Sequence, residues 1–294
     1  MDKQIAVVGL GSMGGAMAST LHRAGWQVSG FDPSPDARSA AGSGGIRTVD
    51  DVGLLAGTPC VVLSLPSAHL VEATVPQLLE TGTIAIVDTT TSEPATSAKL
   101  AALAAERGAA FVDAPVSGGR DGAATGRLTA FVGATPEALD AARPVLEALT
   151  GGQFQHLGGP GSGNVVKLLN NVLAAANLVS VGEALAVAKA YGVDPAIAAA
   201  GISGASGGSK VSAAMYPDWV LSGTHDSGFS LGLMARDAAL AIEIAGQRGE
   251  QPGLLAAASQ RWQDALARLG PSADFTEIAR TVAPSLTREG SPKS

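Results

Sequence analysis

Lys167, Asn170 and Asn171 interrupt a long run of Val, Leu and Ala. On a helix the three fall within an arc of about 100°, so they face one way. Burying a lysine and two amides is costly unless something polar meets them, and the alternative is a wet helix end from which they reach solvent. Gly9-Leu10-Gly11-Ser12-Met13-Gly14 is a G-x-G-x-x-G pattern, and Asp32 follows Gly9 by 23 residues. In such a loop the first glycine permits a tight turn, the second lets backbone approach a pyrophosphate and the third lets helix pack on strand. The following helix N-terminus offers donors to the anion, and an acid at the spacing of Asp32 accepts from both ribose hydroxyls. Its rival role is a cap or turn before Pro33. That carboxylate would repel a 2′-phosphate, and Pro33-Ser34 offer no cation to hold one, although Arg38 is near in sequence.

The elements that would carry these residues alternate. Strands are expected over 5–8, 28–31, 46–49, 60–65, 84–87, 110–112, 128–132 and 154–157, and helices over 15–24, 51–56, 69–80, 94–107 and 136–149. This alternation predicts an α/β domain, a mainly parallel, doubly wound Rossmann-type sheet over 1–162, with ligands at the carboxyl ends of its strands. Two strand tails stand out there. In 88–94, Asp88-Thr89-Thr90-Thr91-Ser92-Glu93-Pro94, a helix cap is the expected role of any single hydroxyl. In 113–119, Asp113-Ala114-Pro115-Val116-Ser117-Gly118-Gly119, a proline-fixed turn into Ser-Gly-Gly makes a nest of backbone N–H groups for a carboxylate, or else a plain surface turn.

A long interdomain helix is expected over 165–191, about 40 Å in length, capped by Ser162 or Asn164 and stopped by Gly192 and Pro195. The remainder, 163–294, reads as all helical, with segments at 195–200, 210–216, 230–248, 254–269 and 275–282 and a frayed polar tail at 284–294.

Composition narrows the partner. The 294 residues are 46% hydrophobic and 15% charged with net charge −7, ample for a core and without a basic run for nucleic acid or an anionic membrane. A mean hydropathy of +0.25 suggests a membrane, but Asn177, Ser180, Glu183 and Lys189 break the long helix. Residues 1–4 lead into a strand with no signal-peptide core, which points to a cytoplasmic protein. Cys60, the single cysteine, sits in an apolar run and reads as a buried structural thiol. The histidines at 22, 69, 156 and 225 share no metal-ligand spacing, so no metal is expected.

Three ordered motifs, 9–14 with Met17, 113–119, and Gly161-x-Gly163-x-x-x-Lys167-x-x-Asn170-Asn171, together resemble the β-hydroxyacid dehydrogenase family, of the 3-hydroxyisobutyrate dehydrogenase and tartronate semialdehyde reductase type. The resemblance covers nearly the whole chain. It implies an oxidoreductase that passes a hydride between NAD and a small 3-hydroxy acid, with NADP disfavoured, assembled as a homodimer or homotetramer. By position it makes Lys167 the catalytic acid and base, Ser117, Gly118 and Gly119 a carboxylate cradle, and Asn171 with Asn170 substrate anchors. Gly9, Leu10, Gly11, Ser12, Met13, Gly14, Asp32, Leu65, Pro66 and Thr91 would line the cofactor. The family also places a lysine before an aspartate beside the nicotinamide; here Arg236 precedes Asp237, which keeps the charge and alters reach and geometry, or else Arg236 only pairs with Asp237 or a nearby acid at the domain edge. An imine-reducing enzyme shares the fold and glycine loop, and a non-catalytic dinucleotide-binding module needs only 9–32.

Overall fold

The computed structural model describes residues 3–80 and 82–287. The chain divides into two compact units, Met1–Lys167 and Leu168–Ser294.

The first unit contains strands β1 (Gln4–Val8), β2 (Gln27–Phe31), β3 (Arg47–Val49), β4 (Cys60–Leu63), β5 (Ala85–Asp88), β6 (Ala110–Asp113), β7 (Val116–Ser117), β8 (Thr129–Gly133) and β9 (Phe154–Gly158). Its helices are α1 (Ser12–Arg23), α2 (Pro35–Ser43), α3 (Ala68–Glu80), α4 (Pro94–Glu106), α5 (Gly119–Thr125) and α6 (Pro136–Thr150), with a 3₁₀ turn over Val52–Leu55. The strands form one sheet in the order β3-β2-β1-β4-β5-β6-β8-β7, with β9 beside β8. From β3 to β6 all pairings are parallel; β8 runs antiparallel to β6 and β7 and parallel to β9. This is the expected doubly wound sheet, whose strand order reverses direction between β1 and β4.

Both faces of the sheet are covered, so its strands are continuously apolar. Ile5 and Val7 of β1 join Met17, Leu21, Val62, Val87 and Val112 on one face, while Ala6 and Val8 join Val61, Leu63, Ile86, Val71, Val75 and Leu100 on the other. Cys60 lies between β1 and β5, in register with Ile5 and Ala85, and is buried.

Helix α2 and the short α5 were not anticipated. Ser34 caps α2 by accepting from the Ala37 amide at 3.3 Å, with Pro35 at its first turn, so this segment is more than the turn expected at Pro33-Ser34. The hydroxyls at 88–94 do not cap α4 as expected. Thr89 Oγ1 donates to the Leu63 carbonyl at 2.7 Å, and Thr90 Oγ1 accepts from the Leu65 amide at 3.1 Å, so they lace the ends of β4 and β5 together. The cap position of α4 falls on Glu93, whose side chain makes no capping bond.

The long helix, α7, spans Ser162–Ala190, three residues earlier than expected at its start. Its part beyond Lys167 belongs to the second unit, with α8 (Pro195–Ser203), a π-helical segment (Val211–Leu221), α9 (Leu231–Gly246), α10 (Gly253–Leu269), a 3₁₀ turn (Phe275–Ile278) and α11 (Ala279–Val282). The π segment runs on through Pro217 to Leu221, where a helix ending at Tyr216 was expected. Pro284–Thr287 makes one further helical turn, and the rest of the expected frayed tail, 288–294, lies outside the described residues.

By length and composition α7 could cross a membrane, with a mean hydropathy of 1.5. Its apolar face instead forms the core of the second unit. Leu168, Val172, Ala175, Leu178 and Leu185 cluster with Trp262, Tyr216, Met234 and Phe275. Trp262 Nε1 donates to the Ala175 carbonyl at 3.1 Å and Tyr216 Oη to the Leu178 carbonyl at 2.7 Å, tying neighbouring elements to its backbone.

Candidate active site

The glycine loop sits where the sheet order reverses. Gly9 leaves β1 with φ +91°, and its amide donates to the Phe31 carbonyl at 2.8 Å. A Cβ there would overlap the Ser64 carbonyl oxygen at the end of β4, and one on Gly14 would overlap the Gly9 carbonyl oxygen, so both positions demand the smallest residue. Gly11 is different: a Cβ on it would meet no protein atom within 4 Å. Its side faces open space in the protein, as expected of the residue that lets an anion approach the backbone.

Asp32, at the end of β2, combines its two candidate roles. Its Oδ1 accepts from the Ser34 amide at 2.8 Å, which is the turn role, and its Oδ2 accepts from the Leu10 amide at 2.8 Å, which ties the turn to the glycine loop. A carboxylate has about four acceptor sites, so two remain for a pair of hydroxyls. Arg38 Nη1 donates to the Asp32 and Pro33 carbonyls at 2.7 and 3.1 Å, which holds the guanidinium against the backbone. The half-buried Leu65 and Thr91 and the exposed Pro66 follow β4 and β5 at the same edge of the sheet. Glycines that leave room, a helix N-terminus and an acid with spare acceptor sites together fit a dinucleotide.

Ser117 ends β7 half-buried, and Gly118 and Gly119 follow with φ +123° and +62° at the start of α5. Two consecutive residues with positive φ turn the chain sharply there, which only glycine adopts without strain.

The start of α7 is built around Asp113. This carboxyl, fully buried at the end of β6, accepts from the Gly161 amide at 2.7 Å and the Asn164 amide at 3.0 Å. It therefore does the capping expected of Ser162 or Asn164. Asn164 is committed elsewhere, accepting from the Ser92 amide at 2.8 Å and donating to Ser97 Oγ at 3.0 Å, and Ser162 lies inside the helix. Lys167, one turn on from Asn164, is 8% exposed, so the wet helix end is excluded.

In the second unit Asn171 is 5% exposed and donates to Asp237 Oδ2 at 2.7 Å, while exposed Asn170 donates to Asn171 Oδ1 at 3.1 Å. Arg236 lays Nε and Nη2 on Asp237 Oδ1 at 3.0 and 2.7 Å. The pairing of Arg236 with Asp237 is thus one of its two expected roles, while the bond from Asn171 to Asp237 was missed by sequence reasoning because the partners lie 66 residues apart. Among the described residues no group of three or more His, Cys, Asp or Glu side chains could hold a metal ion.

Asp113 and Asp88 are partners across β5 and β6. Burial pushes each carboxyl up to about 7, against bonds from the Gly161, Asn164 and Gly163 amides to Asp113 and from Thr90 to Asp88. With folded values above the ordinary 3.8, the folded chain keeps protons that the unfolded chain has released between about pH 4 and 7. Their contribution to stability should fall as pH rises through that window and level off above it. Urea midpoints at about pH 5 and pH 8 check this: Asp88→Asn, which fixes the neutral shape, should flatten the dependence, and an unchanged slope would refute it.

Comparison with known proteins agrees with this geometry. Residues 4–158 match the family model described as the NAD binding domain of 6-phosphogluconate dehydrogenase, and 161–282 match that described as NAD-binding of NADP-dependent 3-hydroxyisobutyrate dehydrogenase. The NAD-dependent L-serine dehydrogenase of Pseudomonas aeruginosa is 37% identical over 83% of this chain and 85% of its own. The 2-(hydroxymethyl)glutarate dehydrogenase of Eubacterium barkeri is 34% identical over 86% of each. Among solved structures, a Mycobacterium tuberculosis 3-hydroxyisobutyrate dehydrogenase with L-serine superposes with a TM-score of 0.88 at 30% identity, over 96% of this chain and 99% of that one. An imine reductase of Streptomyces aurantiacus, at 22% identity and TM-score 0.64 over 95% and 99%, shares the fold alone.

Proposed function

We propose, because the chain belongs to the NAD-dependent β-hydroxyacid dehydrogenase family of 3-hydroxyisobutyrate dehydrogenase, that it oxidises small 3-hydroxy acids reversibly with Lys167 as general acid and base. The supporting observation is a buried lysine on the first turns of a helix whose start is fixed to the sheet. The named substrates of the relatives, 3-hydroxyisobutyrate, L-serine and 2-(hydroxymethyl)glutarate, share a CH₂OH group on the carbon that bears a carboxylate. Their remaining substituents differ, so we assign that shared unit to the substrate of this chain.

Ser117, Gly118 and Gly119 would hold the carboxylate and Asn171 the polar end of the substrate. Lys167 would accept the hydroxyl proton as the carbonyl forms, and return it in the reverse direction. Gly9, Gly11, Gly14 and Asp32 would hold NAD, which would supply the hydride acceptor for oxidation and, reduced, the hydride donor for the reverse direction. Assembly as a homodimer or homotetramer is proposed with it.

A panel of 3-hydroxyisobutyrate, serine, glycerate and 2-(hydroxymethyl)glutarate, followed by NADH absorbance, tests the reading. At least one should turn over, and reduction of cyclic imines with none of these acids oxidised would overturn it. NAD should exceed NADP in kcat/KM by roughly fivefold to several hundredfold, because a 2′-phosphate facing Asp32 meets a repulsion of about 1–4 kcal/mol. Equal values would mean that Arg38 leaves the Asp32 and Pro33 carbonyls to bind the phosphate.

A further inference from the structure

We infer that Asp113 is the positioning residue of the proton-transfer site: it anchors the first turn of α7 to the sheet and thereby sets where Lys167 stands. The inference rests on the role proposed for Lys167 and extends it to a residue that need not touch substrate or cofactor.

Three observations carry it. The first is the direction of the bonds. Asp113 ends β6, and its two oxygens take the amides of Gly161 and Asn164 separately, at 2.7 and 3.0 Å, so the carboxylate spans the helix start. Backbone amides at a helix N-terminus carry the positive end of the dipole, and above about pH 7, where the Asp113 carboxyl is ionised, its bonds to them are charge-assisted and stronger than neutral ones.

The second is the space kept for it. A Cβ on Gly133 would stand 2.5 Å from Asp113 Oδ1 and 2.8 Å from the Gly163 amide nitrogen. One on Gly163 would overlap the Phe131 carbonyl and stand 2.8 Å from Asp113 Oδ2. Two glycines, one on β8 and one on α7, thus let helix, strand and carboxylate meet at backbone distance. That explains why the glycine at 163 belongs to the lysine motif although it carries no chemistry itself.

The third is the second tie at the same turn. Asn164, fully buried, accepts from the Ser92 amide and donates to Ser97 Oγ, so the turn is fixed to the start of α4 as well as to β6. Lys167 lies one helical turn beyond this double anchor. A helix is stiff over one turn, so displacement of the anchor moves the ammonium by a comparable distance, and misplacement by about 1 Å costs about 10²-fold in rate.

The test is Asp113→Asn, alone and with Lys167→Met. The amide keeps the shape, loses the charge and presents an NH₂ group where N–H donors converge. The single variant should lose roughly 10- to 100-fold in kcat while its KM for the hydroxy acid and its NADH dissociation constant stay within about threefold. In the Lys167→Met background the same change should cost almost nothing more, because both act through one group. Wild-type kcat in Asp113→Asn, or a full additive loss in the double variant, would overturn the inference. If instead Lys167→Met alone kept wild-type turnover, the role of Lys167 would fall and this inference with it. Should Asp113→Asn fail to fold, hydrogen exchange on the wild-type protein decides: the Gly161 and Asn164 amides should be protected like the sheet core, and exchange at loop rates would overturn the anchor.

Discussion

Lys167→Met should lower kcat on the best hydroxy acid by about 10²- to 10⁴-fold, the usual contribution of a positioned general acid or base. Methionine fills a similar volume and suits a site that is 8% exposed, so the fold should tolerate it. The glycine loop and Asp32 are untouched, and the NADH dissociation constant should therefore stay within a few-fold. Steady-state kinetics with an NADH fluorescence titration separate the two effects. Undiminished kcat would remove Lys167 from the chemistry, and a parallel collapse of NADH affinity would make it a cofactor ligand instead.

The second large effect belongs to the glycine loop. In Gly14→Ala the new methyl would overlap the Gly9 carbonyl oxygen, and Ser64 Cβ stands 3.1 Å away on the other side. Helix α1 must then shift from β1, at a cost of about 1–3 kcal/mol from overpacking, and its N-terminus would leave the place proposed for the pyrophosphate. Both melting temperature and NADH affinity should fall, the latter by roughly ten- to a hundredfold. Gly11→Ala is the contrast: its methyl meets nothing in the protein, so stability should hold while affinity falls. If Gly11→Ala bound NADH as the wild type does, the cofactor would not approach the backbone there.

The sheet was legible because its strands are buried on both faces and read as short apolar runs, each followed by a helical pattern. Runs such as Cys60-Val61-Val62-Leu63 leave little choice of element. What escaped was decided by distant partners. Asp113 looked like the opening of a turn, and nothing near it in sequence says that its carboxyl caps a helix beginning 49 residues later. Ser162 and Asn164 had the right chemistry to cap that helix locally, and lost the role to a carboxyl already buried at the strand end. The threonines after β5 were likewise claimed by β4 before α4 could use them. Helix α2 carried a readable signal, Ser34 followed by Pro35, which the neighbouring turn at Pro33 obscured. The Asn171–Asp237 bond had no local signal, since it joins two helices of the second unit.

The lone thiol in the middle of the parallel sheet can serve as a clock. Burial pushes Cys60 up to about 12, so in the closed protein almost none of it is thiolate, the form that reacts with alkylating and disulfide reagents. Covalent labelling is then favoured by opening of the start of β4 from its neighbours on β1 and β5. The rate at which a colourless disulfide reagent turns yellow then reports how readily that part of the sheet opens, and counts the openings where labelling outpaces reclosing, without denaturant and without any engineered reporter. A ligand that binds across those strand ends should slow that clock in proportion to its occupancy.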